Sequence, residues 1–584
     1  MKDFFLEKIK SLLNNNNLDE ALSLCEKYIS KNKDNSEIYN FLGIIFLKKK
    51  RIKESINYLK IAASLDSSNF KIFNNLGMAY FTAGIYDQAL NELNSAIAIN
   101  NTYYEAFNNK GVVLKALGKY QDALENYNIS ITKNPNYSDA YFNKAIILDL
   151  LSRHEEAIET YKKTIKIKPY HYKAYNNLGI IYEKLRQYIE ALKNYEKAVE
   201  IEPRFPEPYN NIGTIYKKLG RYLESIDNYN KALSLNPRYF EAYSNRAIVL
   251  RKLQKYDEAL EDYDSAIKLK SDFTEALVGK SEILLKLGNF SEGWKYYDYR
   301  FFQSSFHERY NKKKLFLKRE KVNKLIVWGE QGIGDQIYFL SYLINFSNFA
   351  NEIVLELDPR IIPLFQRYIE KIKINNILLK SINEKPVEVF DFHLPLGSVP
   401  AFVKENNYIF TKNEYYFVTN RNPIKNFFPK NNYKNIGISW KTLNIDEEYR
   451  NISLDLLSPI LDLKEINFFN LQFGKFNNLV EEYNKKKNNN IISIKEIDNT
   501  NNLEDLSNLI LNLDAVVTIQ NTTVHLAGAL GKKTFLLAAK DSRWMWGLTD
   551  KISKHYPSVE IFRQKQFNEW EEQVNQVAQE LKKI

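Results

Sequence analysis

Cysteine is nearly missing from this chain of 584 residues, where Cys25 stands alone. A single thiol rules out an intramolecular disulfide and a cysteine-based metal cluster. Long apolar runs are missing as well. No stretch approaches the roughly 18 apolar residues that a membrane-spanning helix needs. The opening MKDFFLEKIKS interrupts its apolar residues with charge, unlike a secretory leader. These absences lead to the expectation of a cytoplasmic protein without a membrane span. The third absence is charge of one sign. The formal net charge is +11, yet residues 1–300 hold 44 Lys and Arg against 38 Asp and Glu, and residues 301–584 hold 38 against 33. So thin and interspersed a surplus makes no basic stripe, and a nucleic-acid partner is not expected.

What is present is a folded composition, 44% hydrophobic and 26% charged, in a chain long enough for at least two domains. Residues 1–300 repeat with a period of 34 and no insertion, about nine units in all. One position reads Ile9, Gly43, Gly77, Gly111, Ala145, Gly179, Gly213, Ala247, Ser281. Twelve residues later come Ala21, Ser55, Ala89, Ala123, Ala157, Ala191, Ser225, Ala259, Gly293. Small side chains at both places let two antiparallel helices touch backbone to backbone. Tyr127, Tyr161, Tyr195, Tyr229, Tyr263 and Tyr297 recur on the second helix, and Pro135, Pro169, Pro203 and Pro237 fall between units. AYNNLGIIYEKLRQYIEALKNYEKAVEIEPRFP resembles the tetratricopeptide repeat, which implies an α-solenoid, a superhelix with a concave groove.

Asn75, Asn109, Asn143, Asn177, Asn211 and Asn245 share one position of six consecutive first helices. In this repeat family that position faces the groove, and an amide offers both a donor and an acceptor to an extended peptide. The row resembles the asparagine ladder of the O-GlcNAc transferase solenoid, which implies a protein or peptide partner. The alternative is that these amides satisfy local backbone groups, or reflect an Asn-rich coding bias.

After Gly293 the repeat decays into an aromatic and Lys-rich segment, and residues 301–323 read as a solvated connector. From Lys324 strands and helices alternate: KLIVWGE, a Gly-rich turn, QIYFLSYLINFS, EIVLELD, IIPLFQRYIEKI, NNILLK and VEVFDFHLPL. A second set runs from NIGISWK to KTFLLAA, with a closing helix from about Asn568 to Lys583 that is expected to cross back onto the first lobe. The pattern predicts an α/β GT-B fold of two Rossmann-like lobes, residues 324–420 and 421–584.

Seven spaced blocks make this half resemble the lipopolysaccharide heptosyltransferase family, and the bacterial proteins that fuse tetratricopeptide repeats to such a domain. They are GEQGIGDQ (329–336), HLPLGSVP (393–400), GISWK (437–441), RNISL (450–454), LQFG (471–474), LDAVVTIQNTTVHLAGALGKKTFLL (513–537) and RWMWG (543–547). The resemblance implies an acceptor-side first lobe and a nucleotide-sugar-side second lobe. It also implies that Asp335 is the general base that takes the acceptor hydroxyl proton. The competing reading of Asp335 is a helix N-cap. Gly332 and Gly334 let backbone approach a ligand or turn tightly.

Gln520, Asn521, Thr522 and Thr523 lie between a buried strand and the helix that carries His525. Free N–H groups, a positive dipole end and two hydroxyls there suit a diphosphate. Capping by Asn or Thr is compatible with that role. Many relatives carry an acidic residue where this chain has Gln520, so another donor sugar, or loss of activity, stays open. Lys441 and Arg450 are candidates to neutralise the leaving diphosphate, and a solvated surface is their plainer reading. His525 is a candidate donor contact or a packed core histidine, and Trp544 and Trp546 are candidates to close the cleft or to pack. Asp262-Tyr263-Asp264 falls on a repeat helix and no Asp-x-Asp follows a strand, so neither a metal nor a cofactor is expected and the nucleotide sugar is a co-substrate.

The expectation is an inverting, metal-independent glycosyltransferase whose repeats present a protein acceptor. A non-catalytic scaffold with a vestigial transferase domain is the alternative, and a lipopolysaccharide sugar transferase the third reading.

Overall fold

The computed structural model describes residues 2–30, 34–302, 309–310, 314–316, 320–403, 415–420, 424, 427–443, 449–474, 476–487, 491–567 and 569–584. The chain divides into two compact units, Met1–Ala242 and Tyr243–Ile584.

The first unit is built of helix pairs, from Lys2–Asn14 and Leu18–Ile29 to Pro206–Lys218 and Tyr222–Leu235. The small residues do what their spacing predicts. A Cβ on Gly43 would lie 2.3 Å from Leu59 Cγ, and one on Gly111 would lie 2.5 Å from the Tyr127 ring. Across the same contact Ser55 Oγ donates to the Gly43 carbonyl at 2.7 Å, and Ser225 Oγ to that of Gly213 at 2.7 Å. Tyr127, Tyr161, Tyr195 and Tyr229 are fully buried beneath these contacts. Between repeats, Asn100, Asn134 and Asn236 accept from the backbone N–H two residues on, at 3.0–3.1 Å, closing the turn. Cys25 is buried, and burial pushes its thiol up to about 12.

The second unit opens on helices of the same pattern, including Tyr256–Leu269, Thr274–Lys286 and Phe290–Tyr297. Two parallel sheets follow. The first contains β1 (Val322–Trp328), β2 (Ala350–Leu357), β3 (Ile377–Ser381) and β4 (Phe392–Pro395), in the order β3-β2-β1-β4. The second contains β5 (Lys434–Ser439), β6 (Ile466–Asn470), β7 (Ile491–Ile492), β8 (Ala515–Ile519), β9 (Thr534–Ala538) and β10 (Val559–Arg563), in the order β10-β9-β8-β5-β6-β7. Counted from β5 that is 3-2-1-4-5-6, the doubly wound order, and the first sheet follows its first four places. Such sheets bind ligands outside their carboxyl ends, where the strand order reverses: β1 beside β4, and β5 beside β8.

The helix pairs continue to Tyr297, and the compact division at residue 242 falls inside them: Leu285 and Tyr297 of the last repeat helices share one core cluster with Leu325 of β1 and Phe339. Two expectations change. The connector is only partly solvated. Phe316 N–H donates to the His393 carbonyl at 2.8 Å, and Arg309 pairs with the fully buried Glu356 at 2.6 Å. Its residues 303–308, 311–313 and 317–319 lie outside the described residues. The closing helix, Glu571–Leu581, does not cross to the first sheet. Val574, Val577 and Leu581 pack instead with Ile438, Ile460 and Phe535 of the second.

Among the described residues, no helix is long and apolar enough to cross a membrane, and no group of three or more His, Cys, Asp or Glu is arranged to hold a metal.

Candidate functional site

The turn after β1 is shaped by two glycines that have no room for a side chain. A Cβ on Gly329 would meet Gln336 Cδ at 2.5 Å, and Gln336 spans the turn by donating to the Gln331 carbonyl and accepting from Asp358 N–H, each at 3.0 Å. Gly397, in HLPLGSVP, gives up its Cβ to Glu330, whose carboxylate accepts the Gly397 N–H at 3.2 Å and the Arg300 guanidinium at 2.9 Å. Arg300 also donates to Ser398 Oγ at 2.8 Å and to Asp298 at 2.8 Å. Two blocks far apart in the sequence thus form one buried network under the turn.

Gly332 caps the helix Ile333–Phe346 through its backbone, with no side-chain cap bond. Asp335, in the first turn, is therefore not the N-cap. Its Oδ1 accepts from Arg543 Nη1 at 2.6 Å. Gly334 marks the closest approach of this helix to the helix Thr522–Ala529: a Cβ there would stand 3.2 Å from His525 Cδ2 and 3.5 Å from Thr522 Cα.

On the second sheet, Gln472 of LQFG knits the end of β5. Its Oε1 accepts from the N–H groups of Trp440 and Lys441 at 2.8 Å each, and its Nε2 donates to the Lys441 carbonyl at 3.0 Å. Asn521 caps the helix Thr522–Ala529. Its Oδ1 accepts from Thr523 N–H at 3.0 Å, and its Nδ2 donates to Ser439 Oγ at 2.7 Å. Thr523 is buried, with Oγ1 turned to Ser439 at 3.3 Å, so of this pair only Thr522 lines the cleft. Gln520 Oε1 accepts from Ala539 N–H at 3.3 Å, and its buried Nε2 has no hydrogen-bond partner among the described residues.

These residues line one cavity of about 350 Å³: Gly332, Gly334, Asp335, Lys441, Arg450, Gln520, Asn521, Thr522 and His525, joined by Arg543 and Trp546. Of the site residues expected in the second half of the chain, Thr523 and Trp544 do not line it. Burial, then the Arg543 and Arg450 charges, push the His525 imidazole down to about 3, so the ring is neutral and offers no positive charge to a phosphate. Its Nδ1 lies 3.2 Å from the Tyr556 hydroxyl, and Trp546 packs on it with ring centroids 5.2 Å apart. Arg450 is 4% exposed, lies over the Tyr449 ring and donates to its hydroxyl at 3.3 Å, so it is no solvated surface cation. Lys441 is half-buried, with its ammonium 5.5 Å from the Phe476 ring. The site residue that sequence reasoning missed is Arg543. It stands in a quoted block, RWMWG, but its partner is 208 positions away.

The asparagine row is placed differently. Asn75, Asn109, Asn143 and Asn211 donate to Asn40, Asn74, Asn108 and Asn176, each one helix pair back, at 2.8–3.1 Å, and Asn177 donates to the Tyr161 hydroxyl at 3.2 Å. The amide donors expected to meet a peptide stitch one repeat to the next. Asn245 holds the same place on the helix Phe240–Lys252, at the start of the second unit.

The geometry thus defines a repeat solenoid and two doubly wound sheets with a polar cleft at their strand ends. Family models described as tetratricopeptide repeat match residues 172–205 and 240–273, 6–70 and 108–172, and 194–227, and one described as TPR repeat matches 213–254. The repeats of this chain are tetratricopeptide repeats. Protein FlbA of Caulobacter vibrioides is 24% identical over 282 residues, covering 44% of this chain and 46% of FlbA, so the match spans less than half of that relative. Among solved structures, MamA is 29% identical over 28% of this chain and 95% of its own, with a TM-score of 0.26. YrrB, described as a TPR protein with an unusual peptide-binding site, is 22% identical over 32% and 95%, with a TM-score of 0.26.

Proposed function

We propose that the second unit is an inverting, metal-independent glycosyltransferase of GT-B architecture that uses a nucleotide sugar. The observation that carries this reading is the 350 Å³ cavity, which gathers residues from six of the seven sequence blocks between the carboxyl ends of two doubly wound sheets. The diphosphate would lie against the amino end of the helix Thr522–Ala529, with Thr522 donating and Lys441, Arg450 and Arg543 supplying positive charge. The acceptor oxygen attacks the anomeric carbon as its proton passes to Asp335. The bond from that carbon to the diphosphate oxygen breaks, and its electron pair leaves with the nucleotide. Cationic groups and the helix end stabilise the charge that develops. The donor supply points to the cytoplasm, and the repeats to a polypeptide acceptor.

One observation favours the scaffold alternative: Asp335 is already ion-paired with Arg543. Thermal-shift measurements with a panel of nucleotide sugars and free nucleotides separate the two. A ligand at a hundredfold its Kd should stabilise the fold by about 2.7 kcal/mol. A shift selective for one nucleotide sugar, lost in Thr522→Ala, supports the transferase. Silence across the panel from folded protein leaves the scaffold.

A further inference from the structure

Beside the first cavity lies a second, of about 310 Å³, and the two share three residues: Asp335, Arg450 and Arg543. The far wall of the second cavity comes from the repeats. Arg251 projects from the helix Phe240–Lys252, and Val278, Glu282 and Lys286 from the helix Thr274–Lys286. A base that serves an inverting transfer must reach the acceptor hydroxyl while that oxygen faces the donor's anomeric carbon, so it stands where the donor and acceptor sites meet. Asp335 stands on that partition. Resting on the transferase reading, we propose that the second cavity is the acceptor subsite, that the last repeats form its wall, and that it receives an uncharged serine or threonine side chain of a polypeptide.

Charge selects that class. Four of the five cations of the wall are matched by a carboxylate: Arg251 by Glu282, Lys286 by Asp541 at 3.3 Å, Arg300 by Glu330 at 2.9 Å, and Arg543 by Asp335 at 2.6 Å, while the fifth, Arg450, lies over the Tyr449 ring and donates to its hydroxyl at 3.3 Å. A phosphorylated lipid headgroup calls for cations in excess, whereas a wall of alternating sign and hydroxyls suits the N–H, C=O and O–H groups of a peptide. The neighbouring residues add Tyr449, Ser542 and Gln331 as neutral partners. The helices that supply this far wall lie in the same compact unit as the two sheets, which begins at Tyr243.

The test uses the full chain and the donor found by the nucleotide-sugar panel, carrying a radiolabelled sugar. Acceptors are a degenerate nonapeptide library with central Ser or Thr, a matched library with central Ala, and free neutral monosaccharides. Label is expected on the Ser and Thr library alone. Val278→Trp, at a position that lines the second cavity and not the first, should cut that transfer at least about tenfold. Glu282→Gln, a smaller change, should cut it less. Both variants should keep the nucleotide-sugar thermal shift, which also reports that they are folded. Wild-type transfer by Val278→Trp overturns the subsite, and label on monosaccharides but not on peptides overturns the acceptor class. If no nucleotide sugar shifts the wild-type protein, the transferase reading fails first, and this subsite with it.

Discussion

Asp335 and Arg543 meet across the cleft, Oδ1 to Nη1 at 2.6 Å, one from the helix after β1 and the other from the loop after β9. In the transferase reading the pair divides the work. Asp335 takes the acceptor proton through its other oxygen, and Arg543 balances the charge of the departing diphosphate. Asp335→Asn keeps the shape and removes the base. It should lower turnover by at least about 100-fold while nucleotide-sugar stabilisation persists. Arg543→Met should weaken donor binding as well as turnover. Steady-state kinetics with the identified donor checks both, and an Asp335→Asn protein that turns over like wild type would remove Asp335 from the mechanism.

The local half of this architecture was legible in the sequence and the long-range half was not. Gly111 and Tyr127 lie 16 positions apart at a fixed period, so their contact follows from spacing alone. Asp335, Lys441, Thr522 and His525 were singled out because they stand in the blocks that resemble the heptosyltransferase family, and the structure places all four around one cavity. Arg543, Arg300 and the second cavity depend on which helix faces which loop across 30 to 255 positions, and no periodicity encodes that. The side chain of Thr523 stands outside the cavity for a local reason: adjacent residues at a helix start point in different directions, and the hydrogen bond to Ser439 that turns it inward belongs to another strand.

The turn inside each repeat carries a left-handed residue that sequence reading passed over. Asn16, Lys50, Gly84, Gly118, Ser152, Arg186, Gly220, Gln254 and Gly288, all 34 apart, have φ between 57° and 80°. That conformation costs an L residue roughly 1–2 kcal/mol and glycine almost nothing. Arg186 is exposed, so Arg186→Gly should raise stability by up to about 1 kcal/mol once the extra freedom of glycine in the unfolded chain is offset. Gly84→Ala should lower it by about 1 kcal/mol, since open space around an added Cβ leaves only the backbone term. Urea unfolding followed by far-ultraviolet circular dichroism, with unchanged slope, is the check. A destabilised Arg186→Gly would mean the side chain contributes more than the strain costs.

Acid should destabilise the second unit before its carboxylates titrate. Burial, then the charges of Arg543 and Arg450, push His525 down to about 3, and burial followed by the His525 charge pushes His555 to about 3. A folded-state value below the unfolded one, near 6.5, means that the unfolded chain binds the proton first. The stability each histidine contributes is therefore fully present above about pH 6.5 and is lost as pH falls toward 3, by about 1.4 kcal/mol per unit for each. The six tryptophans all lie between Trp294 and Trp570, so their fluorescence follows this unit alone. Denaturation midpoints at pH 7, 6 and 5 should fall steadily, and His555→Gln should flatten the trend by about half. A flat wild-type profile would show that these imidazoles are not buried neutral.

The ion pair between Arg300 and Glu330 ties the end of the last repeat to the Gly-rich turn, with the two side chains 9% and 3% exposed. Removing one member of such a pair strands the other's charge away from water, which typically costs 3–5 kcal/mol, whereas removing both together costs far less. Glu330→Gln should therefore lower the stability read by tryptophan fluorescence by roughly 3 kcal/mol, although the substitution changes the shape very little. The double variant Arg300→Met/Glu330→Gln should recover a large part of that loss, and the coupling between the two sites measures how firmly the repeat end is fastened to the turn. Because the turn carries Asp335, the single variant should also weaken nucleotide-sugar stabilisation, and the double variant should restore part of it. A single-variant cost below about 1 kcal/mol, the range of an exposed pair, would show that water reaches the pair and that the turn is held by its glycines and Gln336 alone.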